Sequence, residues 1–313
     1  ILDDIRPLEE LLEAQENSIH LFPVREGILW NMFWRLENLG DRTYTAKNPE
    51  YGTYINYYLN HTPKTPIKLH IKDEQENIVT TIEDKNPKKG INRLVWDLGY
   101  DSAKPLNLKK RSGINDKTST SSLTYEGLSV EIRPKVAPGN YKAVISYMDD
   151  IQTSDILVSG DHRINMPLES YTQKTSALLS LRDLLNKTHE LIENIVLIEN
   201  QLESLAIKLK IASSKDLSKV EALYDRIRSF KDDHLMRPPP SMGYRQRPRL
   251  KEEIRSLMRA IDNTTNPPTV PQKERIQSLT GELNEHQKTM ETIKISLNEI
   301  NASHKSLPQV ILN

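Results

Sequence analysis

The chain has 313 residues, which is long enough for two domains of ordinary size. Its 43 basic and 43 acidic residues give a formal net charge of zero, whereas a nucleic-acid-binding protein usually carries a basic excess. The absence of cysteine excludes disulfides, thiolate nucleophiles and cysteine-ligated metals. No apolar run approaches the ~20 residues that a membrane-spanning helix needs. We therefore expect neither a nucleic-acid partner nor a membrane span.

Residues 1–47 form a segment of mixed character, which begins with an apolar stretch at residues 1–5 that could be a short strand. Trp30, Phe33 and Trp34 follow. This segment is too short to bury such large side chains by itself. We therefore expect these three aromatics to dock on another surface.

Between residues 48 and 163 the hydrophobic period is two, as in strands that bury one face. Turn signals at residues 73–77, 138–140 and 149–150 separate the apolar runs, and residues 127–132 alternate as a further predicted strand. About seven short strands joined by such turns predict an antiparallel, immunoglobulin-like sandwich. Its predicted core residues are Trp96, Tyr57, Leu94 and Tyr141.

A polar insertion, residues 101–124, interrupts this pattern. Its composition offers little apolar surface to bury, so the sequence predicts a mobile surface loop.

After Pro167 the period becomes helical. The first apolar stripe predicts one helix of about 40 residues, or about 60 Å. Residues 213–216 are a plausible cap for a second helix, and a proline-rich stretch around residues 237–248 ends it. A third helix is predicted over residues 250–261.

The last helix has the clearest local signal, because its apolar positions alternate in steps of three and four. They are Ile276, Leu279, Leu283, His286, Met290, Ile293, Leu297 and Ile300. This heptad pattern predicts that residues 164–313 form an antiparallel bundle of long helices. For His286 we favour a polar core residue that fixes the register over a ligand.

Sequence motifs for catalysis are missing. The chain has no glycine-rich phosphate loop, no H-E-x-x-H and no G-x-S-x-G, and no two of its eight histidines are four residues apart. Asp97 is better explained as a strand-end carboxylate that caps a turn than as a catalytic group. The N-x-[ST] sequons are interpreted as accidental, and they begin at Asn60, Asn186, Asn263 and Asn301. We therefore predict no catalytic, cofactor-binding or metal-binding residue, and a protein that is not an enzyme.

Several ordered stretches resemble one family: ILDDIRPLEEL, HLFPVREGILW, NPEYGTYINYYL, KLHIKDEQENIVTTI, GINRLVWDL and VAPGNYKAVISY. Together they are similar to the region that follows the β-propeller in large sortilin-like, BNR-repeat proteins of the Bacteroidetes type, described as glycosyl hydrolase- or sialidase-like. The resemblance implies a propeller-exit segment over residues 1–47, a FlgD-like immunoglobulin domain over residues 48–163 and a helical tail over residues 164–313.

The resemblance also implies an exported protein, located in the periplasm, at the outer-membrane surface or outside the cell. The chain lacks the S-x-D-x-G-x-T-W box of a propeller blade. It also begins without an initiator methionine, which suggests a fragment or processed product. Any hydrolase activity would therefore reside in a propeller outside this chain. Asp101-Ser102-Ala103 resembles the O-glycosylation sequon of these bacteria, which implies Ser102 as a modification site.

The leading hypothesis is a non-catalytic accessory region that docks its own β-propeller or a protein partner, within a larger envelope complex. The alternative is a carbohydrate- or peptide-binding module of a secreted hydrolase. In that alternative, Tyr54, Tyr57 and Tyr58 would stack on sugars.

Overall fold

The computed structural model describes residues 4–31, 44, 48–108, 132–148, 150–238, 246–303 and 310. They form a mixed α and β fold, with strands in the first half of the chain and long helices in the second. The chain divides into two compact units, which we describe separately. The sheet unit comprises residues 1–101, 133–176 and 263–267, and the helical unit residues 102–132, 177–262 and 268–313.

The sheet unit begins with two short helical turns, α1 (Arg6–Glu9) and α2 (Leu11–Ala14). The strand expected at residues 1–5 is not formed at Asp4 and Ile5, and residues 1–3 lie outside the described part. Asp4 instead accepts two hydrogen bonds from the Arg6 guanidinium, at 2.6 and 2.7 Å. This local pairing joins Asp4 to the first residue of α1.

A three-stranded antiparallel sheet follows, built from β1 (Ile19–Leu21), β3 (Thr53–Leu59) and β6 (Gly90–Trp96). β3 lies in the centre and pairs with β6 from Thr53 opposite Trp96 to Leu59 opposite Gly90. Gly52 precedes β3 with φ at 126°, and a Cβ there would collide with the Trp96 carbonyl. Only glycine fits this close approach, because other residues rarely adopt such a φ.

The second sheet has five strands in the order β2–β8–β7–β4–β5. They are β2 (Gly27–Leu29), β4 (Ile67–Lys72), β5 (Ile78–Asp84), β7 (Gly139–Tyr147) and β8 (Asp150–Gly160). The two hairpins, β4–β5 and β7–β8, agree with the apolar runs and turn signals of the sequence. The strand expected over residues 127–132 falls outside the described residues, except for Ile132, which is not in a strand.

The expectation of purely antiparallel sheets is wrong at β2, which runs parallel to β8 with Gly27 opposite Val158. The five-stranded sheet is therefore mixed. The expected propeller-exit segment contributes β1 to one sheet and β2 to the other. Strand period alone could not reveal this, because β2 has only three residues and its partner lies about 130 residues further along the chain.

Buried side chains of both sheets form one hydrophobic cluster. Its largest members are Trp96 and Tyr57, both with no exposed surface. A second, small cluster of Ala14, Phe22 and Tyr58 lies beside it. β3 therefore buries almost every side chain, which explains why it departs from the simple alternation of a one-sided strand.

The helical unit contains most of α3 (Leu168–Ile211), which has 44 residues and confirms the prediction of one helix of about 40. The remaining helices are α4 (Leu217–Phe230), α5 (Leu250–Asp262) and α6 (Val270–Ser303). A π-helical turn, Lys231–Leu235, extends α4. None of the helices described is both long enough and apolar enough to cross a membrane.

The heptad positions of α6 lie in the core of this unit, as predicted. Leu279, Leu283, Ile293 and Leu297 are at most 1% exposed, and Met290 is also buried. Ile276 and Ile300, at the two ends of the pattern, pack against the same core. These side chains meet the apolar stripe of α3 in one continuous cluster.

Within the predicted cap of α4, residues 213–216, Ser214 Oγ accepts a hydrogen bond from the Asp216 amide at 3.3 Å, and Asp216 itself does not act as the cap. Asp216 makes no side-chain capping hydrogen bond, because its backbone is already helical, with φ at −85° and ψ at −4°. A capping residue normally has an extended backbone. The Asp216 carboxylate instead accepts a hydrogen bond from Lys219 at 3.0 Å.

The predicted surface loop over residues 101–124 is described only at residues 101–108, which form neither a helix nor a strand. Residues 103–107, which we call the strap, lie along α3 and are held there by side chains of that helix. Ala103 and Leu106 pack against the helical core. The side-chain composition of the strap gave no sign of its contacts with α3. The polar contacts are made by backbone atoms of the strap and not by its side chains.

Candidate functional site

Three of the four predicted core residues of the sheet unit carry a polar side-chain atom, and each of these atoms makes a hydrogen bond. Trp96 donates from Nε1 to the Gly99 carbonyl at 3.1 Å, and its ring meets Tyr141 edge-on at 5.4 Å. Tyr57 donates its hydroxyl to Asp84 at 2.6 Å, and Tyr141 donates to the Ala137 carbonyl at 2.8 Å.

Leu94 is only partly buried, at the margin of the same cluster. Burial and the neighbouring Asp84 raise the pKa of Tyr57, so its hydroxyl stays protonated over any ordinary pH range. These four residues build the scaffold rather than a reactive centre.

Trp30 is the one expected docking aromatic that the structure describes, since Phe33 and Trp34 lie outside the described residues. It directly follows β2 and remains 39% exposed. Its ring meets that of Tyr51 edge-on, with 5.4 Å between centroids and 67° between planes. An exposed tryptophan is therefore braced from one side by a second aromatic ring.

Lys135 lies over the ring of Tyr51, the second member of this aromatic pair. Its ammonium lies 4.8 Å from the centroid of the Tyr51 ring, which is within the range of a cation–π contact. The same ammonium donates to the Asp97 carbonyl oxygen at 2.9 Å and to Asp97 Oδ2 at 3.3 Å. The orientation of Tyr51, and through it Trp30, is thus tied to the end of β6.

Arg133 completes the group that we call the Trp30 cluster, which consists of Trp30, Tyr51, Asp97, Arg133 and Lys135. The Arg133 guanidinium donates to the Tyr100 carbonyl at 3.1 Å and to Thr80 Oγ1 at 3.1 Å. It also lies 3.4 Å from Asp97 Oδ2 and 3.8 Å from Asp101 Oδ1. Two cations thus face two carboxylates, which argues against a pocket for an anion.

Asp97 is more than the strand-end cap that the sequence suggested. It pairs with both Arg133 and Lys135 through Oδ2. Its other oxygen, Oδ1, is buried and has no hydrogen-bond partner among the residues described. Such an acceptor is unusual in a folded protein. The Trp30 cluster therefore combines a buried acceptor that has no partner among the described residues with the exposed ring of Trp30.

The cluster could have been partly anticipated. Arg133 and Lys135 stand two residues apart in a stretch that the sequence pattern placed just after a strand, so they would share a side of an extended chain. The contact of Tyr51 with Trp30 could not be predicted, because it depends on the position that the pairing of β2 with β8 gives to Trp30.

The three tyrosines proposed for sugar stacking do not form a common exposed surface. Tyr57 is fully buried and Tyr58 is 8% exposed. Tyr54 is half-buried, and the Arg93 guanidinium lies 4.8 Å from its ring centroid. Tyr58 packs in a small cluster with Ala14 of α2 and Phe22.

Ser102, the implied glycosylation site, is half-buried rather than at an accessible loop tip. Two of the sequon asparagines use their amides within the fold. Asn186 accepts a hydrogen bond from the Lys104 amide at 2.8 Å. Asn301 donates to the carbonyl of Val310 and accepts from its amide, both at 2.9 Å.

Two histidines of the helical unit have environments that depress their pKa. Burial lowers the pKa of His189, and so do the nearby charges of Lys251 and Arg255. Burial and His234 lower the pKa of His286, whose ring lies 5.4 Å from that of His234 and 5.5 Å from Phe230. The described part of the chain contains no group of three or more potential metal ligands.

No protein-family model, curated protein or solved structure matches the chain.

Proposed function

We propose that this chain is a non-catalytic interaction region of an exported β-propeller protein, which docks its own propeller or a protein partner at the cell envelope. The observation that carries the proposal is Trp30, a large aromatic side chain that is 39% exposed and yet held by Tyr51. Tryptophan is enriched among the few interface residues that dominate binding energy. A braced ring also loses little conformational freedom when a partner covers it.

The finer architecture belongs to the same proposal. An immunoglobulin-like sandwich is supported by the two sheets that share one core, and by the two antiparallel hairpins of the larger sheet. A bundle is supported by the cluster that joins α3, α4, α5 and α6. Such a scaffold suits docking, because a rigid core holds the exposed aromatic in place.

The charges of the Trp30 cluster favour a protein partner over a nucleic acid or a small anion. Arg133 and Lys135 are each within 4 Å of Asp97, so their charges are largely compensated. The exposed face is therefore an aromatic ring with a neutral polar surround, which resembles the centre of a protein interface more than an anion site.

The test is a binding measurement with the propeller that the longer gene product is expected to encode. That propeller and the chain are produced separately, and their affinity is measured by calorimetry for wild type and for Trp30→Ala. Loss of an anchoring tryptophan costs about 2 kcal/mol, so Kd should rise roughly thirty-fold. Tyr44→Ala is the matched control, because Tyr44 is an aromatic residue that is 91% exposed and should leave Kd unchanged.

Two outcomes would contradict the proposal. One is a longer gene product without propeller blades together with no measurable protein partner for the chain. The other is an affinity that Trp30→Ala leaves equal to wild type, which would move the docking surface away from the Trp30 cluster.

A further inference from the structure

Two histidines of the helical unit lie side by side on different elements. His234 belongs to the π-helical turn that extends α4, and His286 belongs to α6. Their ring centres are 5.4 Å apart, and the ring planes are inclined by 44°. The sequence pattern could not show this pair, because the two residues are far apart in the chain and only the packing of α6 against the turn brings them together.

The nitrogen atoms of both rings are not used by the fold. Neither ring makes a hydrogen bond with a residue that the structure describes. By contrast, His189 lies 2.8 Å from a backbone carbonyl oxygen and His70 lies 2.9 Å from Thr81 Oγ1. His234 is exposed and His286 is half-buried, so both rings are in contact with solvent. Imidazole nitrogens of this kind are the commonest protein ligands of metal ions.

The π-helical turn holds the backbone of His234 in place. A hydrogen bond from the Met236 amide to the Lys231 carbonyl, at 3.1 Å, closes the turn. Phe230 directly before the turn and Leu235 within it are buried in the core of the helical unit. The backbone at His234 is therefore fixed between two buried residues.

Packed neighbours also hold His286. Leu283 and Met290 lie three residues before it and four residues after it on α6, and they are 1% and 4% exposed. The ring of Phe230 lies 5.5 Å from that of His286 and 5.7 Å from that of His234, measured between centroids. Two imidazoles that are positioned in this way need little rearrangement to bind a common ligand.

The distance between the two rings is close to the distance that a tetrahedral metal ion requires. A zinc ion lies about 2.0 to 2.1 Å from a coordinating imidazole nitrogen, and hence about 3.2 Å from the centre of the ring. Two ligands at a tetrahedral angle then have ring centres about 5.2 Å apart, whereas neighbouring ligands of a square-planar ion have centres about 4.5 Å apart. The observed 5.4 Å is close to the first value.

We propose that His234 and His286 form a binding site for a divalent transition-metal ion, and that Zn²⁺ is the ion that fits it best. Each imidazole supplies one nitrogen ligand, and water completes the coordination shell, because the described residues contain no group of three potential ligands. Zn²⁺ accepts imidazole nitrogen readily, whereas Mg²⁺ and Ca²⁺ favour oxygen ligands. A bound ion links the π-helical turn to α6 and so stabilises the folded helical unit.

Calorimetric titration of the metal-free chain with Zn²⁺ at pH 7.0 measures the binding. We expect one ion per chain at the tightest site. His234→Gln and His286→Gln each remove one ligand, so each should raise Kd at least about tenfold. His61→Gln is the matched control, because His61 is an exposed histidine whose Nδ1 lies 2.8 Å from Asn60 Oδ1, and it should leave Kd unchanged.

A measurement on the unsubstituted chain keeps the proposal testable if His286→Gln folds poorly. Zn²⁺ should shift the NMR resonances of the ring nitrogens of His234 and His286, and it should leave those of His61 and His70 in place. Co²⁺ in place of Zn²⁺ should give the intense visible absorption of a four-coordinate ion and not the weak absorption of a six-coordinate one.

The proposal is overturned if the wild-type chain gives neither binding heat nor shifted ring resonances with Zn²⁺. It is equally overturned if both His234→Gln and His286→Gln keep the wild-type affinity. A loss for His61→Gln as large as theirs would also overturn it, because binding would then come from exposed histidines in general.

Discussion

At the scale of single residues, two buried tyrosines of the sheet unit each keep a hydrogen-bond partner for the hydroxyl. Tyr57 has no exposed surface, yet its hydroxyl reaches Asp84 at 2.6 Å. Tyr141 is 7% exposed and reaches the Ala137 carbonyl. A buried hydroxyl without a partner would cost more than the bond contributes when it is formed.

Tyr57→Phe tests this arrangement. The variant keeps the ring and loses the bond to Asp84, so the free energy of unfolding of the sheet unit should fall by about 1.5 to 3 kcal/mol, the range for a bond to a charged group. Urea denaturation followed by tryptophan fluorescence measures the change. Tyr54→Phe is the control, because Tyr54 is half-buried on the same strand, and it should change stability by less than about 0.5 kcal/mol. Equal effects of the two variants would contradict the assigned role of the bond.

Sequence reasoning succeeded best for residues whose partners are close in the chain or whose side chains are large and apolar. The core position of Trp96 follows from the strand that contains it. The role of Trp30 could only be predicted as a need for some surface, because its contact with Tyr51, and that of Tyr51 with Lys135, are tertiary contacts. His189 gave no signal, since its partners come from the strap and from α5.

At the scale of elements, the π-helical turn after α4 is the least regular part of the helices. It places Lys231 against Glu199 of α3, with both carboxylate oxygens at 2.7 to 2.8 Å from the ammonium. Glu199 is 7% exposed, and burial raises its pKa despite the neighbouring ammonium. π-helical turns of this kind are rare and often mark strained or functional positions.

Lys231→Met should therefore destabilise the helical unit strongly. Removing the ammonium leaves a buried carboxylate without its counter-ion, which typically costs about 3 to 5 kcal/mol. Chemical denaturation followed by far-ultraviolet circular dichroism measures the loss. Lys219→Met provides the contrast, because Lys219 pairs with Asp216 at the surface with its side chain 72% exposed, and its loss should cost under about 1 kcal/mol.

The double variant Glu199→Met/Lys231→Met decides whether the pair or the unpaired charge matters. It removes both charges and should recover most of the stability that Lys231→Met loses. A double variant as unstable as the single one would show that packing at the π-helical turn, and not charge, sets the cost.

The elements differ in how well they could be predicted, for physical reasons. The heptad pattern of α6 was readable because every third or fourth residue meets the same core. The π-helical turn was not, because residues 231–235 contain no local signal for an extra residue in the turn. The contacts of the strap with α3 were not predicted, because they join its backbone to helix side chains about 80 residues away.

At the scale of the whole molecule, the described residues contain two large hydrophobic clusters with no shared member. One draws its residues from both sheets and the other from the long helices. Each therefore represents a separate source of cooperative stability.

Large-to-small substitutions in the two clusters should act on separate transitions. Leu69→Ala in β4 and Ile293→Ala in α6 each remove a fully buried side chain, at a cost of about 2 to 5 kcal/mol. In differential scanning calorimetry each variant should lower the midpoint of one transition, by roughly 5 to 15 °C, and leave the other in place. A single transition that both substitutions lower equally would show that the two cores unfold together.

The parallel pairing of β2 with β8 has a consequence for synthesis. Residues 27–29 leave the ribosome about 130 residues before their partners at residues 158–160 exist. At 5 to 20 residues per second, this edge of the sheet waits on the order of ten seconds for its neighbour. During that interval the neighbouring aromatic at position 30 is also available to other proteins, so a chaperone that binds the nascent chain would compete for the residue that we assign to docking in the finished protein.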